Sequence, residues 1–499
     1  MSSGSAQVSK SRRINDLPGP PGMPVLGNAL QVKSETLHQQ AEQWTRKYGS
    51  VFRFRIAARQ FVVMSDPEMI ATVLRDRPDG FQRTARLNET SREMGFVGLF
   101  AANGEDWKRH RPMVLRGLDP THIKTFHPTL QRVTDRLRLR WERAAGSGAA
   151  IDLQADLMRY TVDVTAGLAF GTDMNTLESD EEVIQSHLDK VLPALFKRVL
   201  SPVPYWHWFK LPADRELDRH LEALHAAVNG FIADTRQRLE DRPELRDHPS
   251  NLIEAMIVER DRPGSALTDE DLSGNVLTML LAGEDTTANT LAWMIWLLHR
   301  NPEALRRATA EADAVMGSGF TMSHERLKVL DYIEACAHET MRLKPVAPLN
   351  IQQAIRDTVV GGVELPAGSL VLCLMRPASL DSSHFPNPLE FRPERWLAGA
   401  GAASASSAKR VSMPFGAGPR MCPGRYLALS EIKMAIAMLL NRFVLDEVRT
   451  ADGSEVRERL SLTMAPVGLK MRLQVRTAGL SEGRAVEALA MASDAAPSS

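Results

Sequence analysis

The chain has 499 residues, 43% hydrophobic and 24% charged, and its 61 lysines and arginines balance its 61 aspartates and glutamates. That balance leaves no basic footprint for nucleic acid, and three cysteines (Cys336, Cys373, Cys422) are too few for a disulfide framework and suit a reducing compartment. No stretch approaches the roughly 20 apolar residues of a membrane span, and the polar start, with Lys10, Arg12 and Arg13, lacks a signal-peptide core, so a soluble cytoplasmic protein is expected.

In chain order, residues 1–17 read as a disordered tail, 18–475 as one folded domain, and 476–499, rich in alanine and serine, as a second tail. Pro18-Gly19-Pro20-Pro21-Gly22 sets a stiff, extended entry. Periodicity predicts a helix over 37–47 and a hairpin over 51–56 and 60–64, and Asp66-Pro67 is an N-cap and N1 pair opening the next helix. Residues 92–103 are punctuated by glycine yet apolar. They read either as a buried connection or as a flexible pocket wall, which brings Phe96, Val97 and Leu99 forward. Trp107 and Arg111, four apart, share a helix face; composition alone makes this a solvated basic face with the tryptophan packed inward.

Helices are expected over 130–142, 152–168, 182–200 and 214–240, followed by a polar linker through Ser250. The aromatics Tyr205, Trp206, Trp208 and Phe209 read as core or lid packing, with membrane contact as the alternative. Thr268 and the acids after it open a helix running to about residue 300, about 45 Å at 1.5 Å per residue. Its middle, Ala282-Gly283-Glu284-Asp285-Thr286-Thr287, is anomalous. Glycine costs roughly 1 kcal/mol in a helix, and carboxylates in an apolar segment are expensive unless paired. Each acid alone is readily structural, but the set suggests a kink or bulge, with an acid and a hydroxyl lining a small wet gap suited to proton delivery.

A helix over 331–343 carries Glu339 and Arg342, three apart, commonly a surface pair. Val346 and Leu349 follow Lys344-Pro345 and are expected to enter the pocket, and short strands are expected over 353–355, 363–365, 370–374, 462–466 and 470–475, the last turn presenting Met464. Between them, Phe415-Gly416-Ala417-Gly418-Pro419-Arg420-Met421-Cys422-Pro423-Gly424-Arg425 is a glycine-rich loop running into a helix. With Cys422 as N-cap, the amides of Gly424 and Arg425 and the helix dipole favour thiolate, the metal-ligating form. An inert buried thiol is the plain alternative. Phe415 can shield the sulfur, Gly418 and Gly424 allow close approach of something flat, and Arg420 adds a cation. One thiolate without neighbouring ligands suits haem iron rather than zinc.

The order Phe-x-x-Gly-x-Arg-x-Cys-x-Gly resembles the haem-binding signature of the cytochrome P450 family. Ala-Gly-x-Asp-Thr-Thr, Trp-x-x-x-Arg and Glu-x-x-Arg resemble its other motifs, in the family's order. The resemblance implies a mainly α fold with a small β region (α+β), in which a long central helix lies over the haem and the cysteine loop beneath it. It implies haem b with Cys422 as axial thiolate, propionates held by Trp107, Arg111 and Arg420, and Asp285 and Thr286 delivering protons during dioxygen activation. Glu339 and Arg342 would form a buried triad with Arg395. Bacterial relatives often carry a further propionate-binding arginine on the strand after Glu-x-x-Arg, where this chain has Asn350-Ile351-Gln352-Gln353.

The implied activity is a monomeric monooxygenase that hydroxylates or epoxidises an apolar molecule with O2. Phe96, Val97, Leu99, Ala282, Val346, Leu349 and Met464 would line a pocket for a lipid, terpenoid, steroid or polyketide-like substrate. Electrons would come from a separate ferredoxin or flavodoxin and an NAD(P)H-dependent reductase, docking on Lys108, Arg109, Arg116, Arg425 and Lys433. A peroxide-using or peroxide-rearranging haem-thiolate enzyme and a haem-based ligand sensor are the rival readings.

Overall fold

A computed structural model of the chain describes residues 11–118, 120–179, 184–317, 321–397 and 402–476. Helices carry most of the chain, and five strands form the main sheet at one side. The first helix, α1 (Leu37–Tyr48), precedes a hairpin of β1 (Val51–Ile56) and β2 (Arg59–Met64), in register from Val51 opposite Met64 to Ile56 opposite Arg59. Asp66 caps α2 (Pro67–Arg75), its Oδ1 accepting from the amides of Glu68 and Met69 at 3.0 Å. A short strand β3 (Phe81–Arg83), α3 (Ala85–Glu93) and α4 (Gly104–Gly117) follow.

Then come α5 (Pro120–Ser147), α6 (Leu153–Phe170), α7 (Ile184–Leu200) and α8 (Pro212–Asp241). The segment read as a polar linker leads directly into α9 (Leu252–Asp261), whose N-cap Asn251 accepts from the amide of Glu254 at 3.0 Å. The expected helix start at Glu182 lies outside the described residues.

The centre of the molecule is α10 (Asp269–His299), 31 residues long and started by a reciprocal capping box of Thr268 and Asp271. It packs most extensively on α6, and Gly283 is the contact point: a Cβ there would lie 2.3 Å from Thr165 Oγ1. The glycine therefore serves close helix approach. The bulge expected at this point is absent: α10 runs on as an uninterrupted α-helix. After α11 (Pro302–Met316) and α12 (Asp331–Leu343), β4 (Leu349–Ala354) and β5 (Leu370–Leu374) complete the sheet in the order β1-β2-β5-β4-β3. The last helix, α13 (Arg425–Arg442), runs through the core beside α12 and α11.

Near the C-terminus β6 (Phe443–Thr450) pairs with β9 (Leu469–Val475), and β7 (Glu458–Ser461) pairs with β8 (Thr463–Pro466) through a turn at Leu462, which takes a φ of 83°. The turn expected to present Met464 is thus misplaced by the strand pairing. Met464 is fully buried, its carbonyl accepting from Trp293 Nε1 and its sulfur beside Arg376 Nη1. Arg376 is itself clamped between Glu42 and Glu458, which ties α1 to β7.

The N-terminal expectation also needs correction. Arg12 and Arg13 pair in parallel with Val363 and Glu364, and Leu17 is buried, so order begins before residue 18. Backbone pairing to a partner 351 residues away leaves no local trace in composition. Residues 1–10 and 477–499 lie outside the described residues. Among the described residues no helix is long and apolar enough to cross a membrane. The aromatic run before α8 divides: Trp206 is buried against Arg198 and Arg86, while Trp208 and Phe209 are exposed.

Candidate active site

The cysteine loop is held by its backbone. Cys422 N donates to Phe415 O at 2.9 Å, and Gly416 and Gly418 take φ of 74° and 72°. A Cβ on Gly418 would meet Leu74 O at 2.6 Å, so this glycine seats the loop against the end of α2 rather than opening a face for a ligand. Gly424, whose absent Cβ would stand 3.9 Å from the Cys422 sulfur, keeps the space beside the sulfur clear. The helix starts later than expected: Gly424, not Cys422, is the N-cap of α13. The Gly424 amide still favours the charged form of the sulfur. Burial pushes the Cys422 thiol up, while that amide, Arg111 and Arg425 pull it down. Cys336 and Cys373 differ in kind: both are fully buried, and burial pushes Cys373 up to about 12 and Cys336 well above its usual value.

On α10, every residue from Gly274 to Leu298 is buried except Ala282, Gly283 and Thr286. With Gly283 against α6, Ala282 and Thr286, one turn apart, mark the strip of the helix that faces open space. The Thr286 hydroxyl donates to Ala282 O at 2.8 Å. Asp285 turns elsewhere: Oδ1 accepts from Asn289 Nδ2 at 2.8 Å and Oδ2 from the Thr463 hydroxyl. Burial raises its pKa despite both bonds. Glu284 is buried with Oε1 unpartnered, and burial, Asp189 and Asp285 hold it well above the carboxylate range. Asn289 and Thr463 were not legible as site residues; Thr463 is 178 positions from the acid it meets.

Beside the cysteine loop lies a group of cations. Arg111 Nη2 donates to Met421 O at 2.6 Å, and its Nε is buried without a partner. Arg420 lies over the Trp107 ring at 5.3 Å and donates to Asn103 Oδ1 and to the carbonyls of Leu99, Phe100 and Ala102. Arg83, missed in the sequence, stands beside it. Burial lowers Arg420 to about 8, helped by Arg83, Arg77 and Arg111, and lowers Arg83 to about 9, helped by Arg77. Among the described residues none of these four guanidinia is ion-paired with a carboxylate. Fixed, enclosed cations that repel one another are costly unless an anion completes them. This surplus, next to a half-buried loop cysteine with two guanidinia near its sulfur, fits a haem whose iron takes the sulfur and whose two carboxylates take the guanidinia.

The expected triad is assembled. Arg342 Nε and Nη2 donate to Glu339 Oε2 and Oε1 at 2.8 and 2.7 Å, Arg395 Nε reaches Oε1 at 3.3 Å, and Glu339 and Arg342 are both fully buried. Trp396 Nε1 and the Arg392 amide also donate to Glu339. Of the expected pocket residues, Ala282 is exposed and Val97 and Val346 are half-buried, whereas Phe96, Leu99 and Leu349 are packed in. Of the expected docking cations Lys433 must be struck out. It is buried, with Nζ on Glu334 at 2.8 Å.

Known proteins resemble this chain in sequence and in fold. A family model described as cytochrome P450 matches residues 17–473. The Arabidopsis thaliana protein LUTEIN DEFICIENT 5, chloroplastic, is 27% identical over 429 residues, covering 84% of this chain and 71% of that protein. A self-sufficient cytochrome P450 monooxygenase, CYP505E5 of Aspergillus niger, is also 27% identical; it covers 96% of this chain, which spans only 45% of that protein. Among solved structures, the cytochrome P450DA heme domain superposes with a TM-score of 0.81 over 94% of this chain and 99% of that one, at 24% identity, a likeness of fold.

Proposed function

The chain belongs to the cytochrome P450 family and is a haem-thiolate monooxygenase, and we propose that it inserts one oxygen atom from O2 into an apolar small molecule, with electrons from separate carrier proteins. The observation that carries this reading is the pairing of a loop cysteine among cations with an open strip of Ala282 and Thr286 on an otherwise buried helix. Haem bound here supplies dioxygen activation and insertion into a C–H or C=C bond.

The chain's own residues do the rest. Cys422 ligates as thiolate, with the Gly424 amide, Arg111 and Arg425 offsetting part of the cost of an enclosed anion. Arg111 and Arg420 bind the propionates, and Trp107 supports Arg420. Thr286 holds a water at its hydroxyl once that group leaves Ala282 O. When that water gives up a proton toward the bound oxygen, Asp285, which burial keeps protonated to higher pH, would replace it with its own carboxyl proton by leaving its bond to Thr463 or Asn289, and would regain a proton from solvent. Phe96, Val97, Leu99, Ala282, Val346 and Leu349 exclude water around the substrate. A lipid, terpenoid, steroid or polyketide-like molecule suits them, to be identified by a spin-shift screen and mass analysis of products.

Thr286→Ala is expected to keep substrate affinity but lower product formed per NAD(P)H severalfold. Asp285→Asn should slow turnover about 10²-fold, the usual weight of a positioned proton donor. Unchanged coupling in the first variant would remove Thr286 from the proton path.

The carrier would be an acidic ferredoxin or flavodoxin meeting Lys108, Arg109, Arg116 and Arg425. The first three already have acidic neighbours, Lys108 with Glu105 at 2.8 Å, Arg109 with Asp106 at 2.8 Å and Arg116 with Glu259 at 3.6 Å. Arg425 lies over the Tyr426 ring instead, which makes it the foremost contact. Electron-transfer rates should fall steeply as salt rises from about 0.01 to 0.15 M, as the screening length shortens, and Arg425→Gln should flatten that dependence. Rates indifferent to salt would argue against this surface.

A further inference from the structure

We propose that His187 of α7 and His220 of α8 form a two-histidine site for a divalent transition metal of square or octahedral preference, Ni2+ or Cu2+, which cross-links the two helices. No motif of the sequence marks either residue, and the site does not depend on haem. The rings meet edge to face, with centroids 5.0 Å apart and planes at 61°, and the two Nδ1 atoms lie 2.8 Å from each other. Imidazole nitrogens bound about 2.0–2.1 Å from a metal stand about 2.9 Å apart at right angles, and about 3.3 Å apart on a tetrahedron. The separation here is therefore that of neighbouring corners in a square or octahedral sphere, the geometry of Ni2+ and Cu2+ rather than of tetrahedral Zn2+.

The tautomer of His220 is set for a metal. Glu216, one turn earlier on α8, holds its Oε1 3.7 Å from His220 Nε2. A carboxylate on that side favours the proton on Nε2 and leaves the Nδ1 lone pair toward His187. His220 Nε2 is enclosed and has no hydrogen-bond partner, and a metal drawing on Nδ1 makes the Nε2–H a stronger donor to Glu216. In the metal-free pair His187 supplies the proton between the rings. On binding, that proton passes through water to Nε2 of the same ring, so both rings stay neutral. Both are half-buried, and water completes the coordination sphere. The helices α7 and α8 pack along each other, α7 also on α3 and α8 also on α10, so the ion would brace two elements that meet the rest of the domain through different neighbours. The other close pair, His127 and His324, has centroids 5.7 Å apart, and neither Nδ1 has a hydrogen-bond partner.

A hydrogen bond that serves packing alone would hold the rings at the same distance and bind no metal. The test titrates NiCl2 into tag-free ferric holoprotein, followed by calorimetry and by the thermal midpoint, with ZnCl2 in parallel. Wild type should bind one Ni2+ per chain, more tightly than Zn2+, and its midpoint should climb as Ni2+ rises, because the ion binds the folded chain. His187→Ala and His220→Ala should each weaken this binding about tenfold or more, whereas His127→Ala should leave it unchanged. Glu216→Gln alters an exposed side chain, keeps both ligands and should weaken binding about tenfold; it decides the matter if an alanine variant does not fold. Wild type that binds no Ni2+, Zn2+ bound more tightly than Ni2+, or an affinity that is unmoved in the His187 and His220 variants or in Glu216→Gln would each overturn the assignment.

Discussion

Glu339→Ala is expected to yield almost no soluble, haem-loaded protein. Its carboxylate accepts five hydrogen bonds, from Arg342 Nε and Nη2, Arg395 Nε, Trp396 Nε1 and the Arg392 amide, inside a region closed to water. Arg342 in turn donates to the carbonyls of Ser379, Pro388 and Glu390, so the pair staples α12 to the chain that leads toward the cysteine loop. Removing the acid leaves a fully buried guanidinium unpaired and a half-buried one beside it. Breaking such a pair costs about 3–5 kcal/mol, a large share of the ~5–15 kcal/mol that holds a domain together. Replacing both charges, as Glu339→Leu with Arg342→Met, should recover part of the loss, since no charge is then stranded. Denaturant midpoints of the three proteins decide this, and a single variant as stable as wild type would show that the network is dispensable.

Cys422→Ser should abolish the red-shifted Soret band of the reduced carbonyl complex and bring product formation to background, while Cys336→Ala and Cys373→Ala leave both unchanged. The three thiols have different surroundings. Cys336 and Cys373 are fully buried, and burial holds each above the usual thiol range. Cys422 differs in that a backbone amide of its own loop and two guanidinia favour its charged form. The arginines that would take the propionates are untouched by the substitution, so Cys422→Ser should still bind haem, more weakly and with the spectrum of an oxygen or water ligand. A wild-type carbonyl spectrum in Cys422→Ser would move the ligand elsewhere.

The features legible in the sequence share a property: their meaning lies within one or two turns of chain. Asp66-Pro67, Thr268 with Asp271, and Glu339 with Arg342 each act across three residues or fewer, and the structure forms all three as spaced. Where the reading went wrong, a local rule met a distant partner. Gly424 rather than Cys422 caps α13, while the cysteine's amide is held back in the loop by Phe415 O. Gly283 announced a bulge and proved to be a contact with α6. Lys433 looked solvent-facing until α12 supplied Glu334.

By itself, then, the amino-acid order determined the class of the protein: four motifs in the order of one family, a mainly helical domain, and a thiol placed to bind haem. Only the tertiary structure decided which side chains face the open space and which are withdrawn from it. Asp285 is turned to Thr463, Met464 is folded under Trp293, and Arg83 is drawn in by Asn350, 267 positions away. The reason is that a motif specifies which atoms are at hand, whereas the direction a side chain takes is set by whatever hydrogen-bond partner packing brings against it.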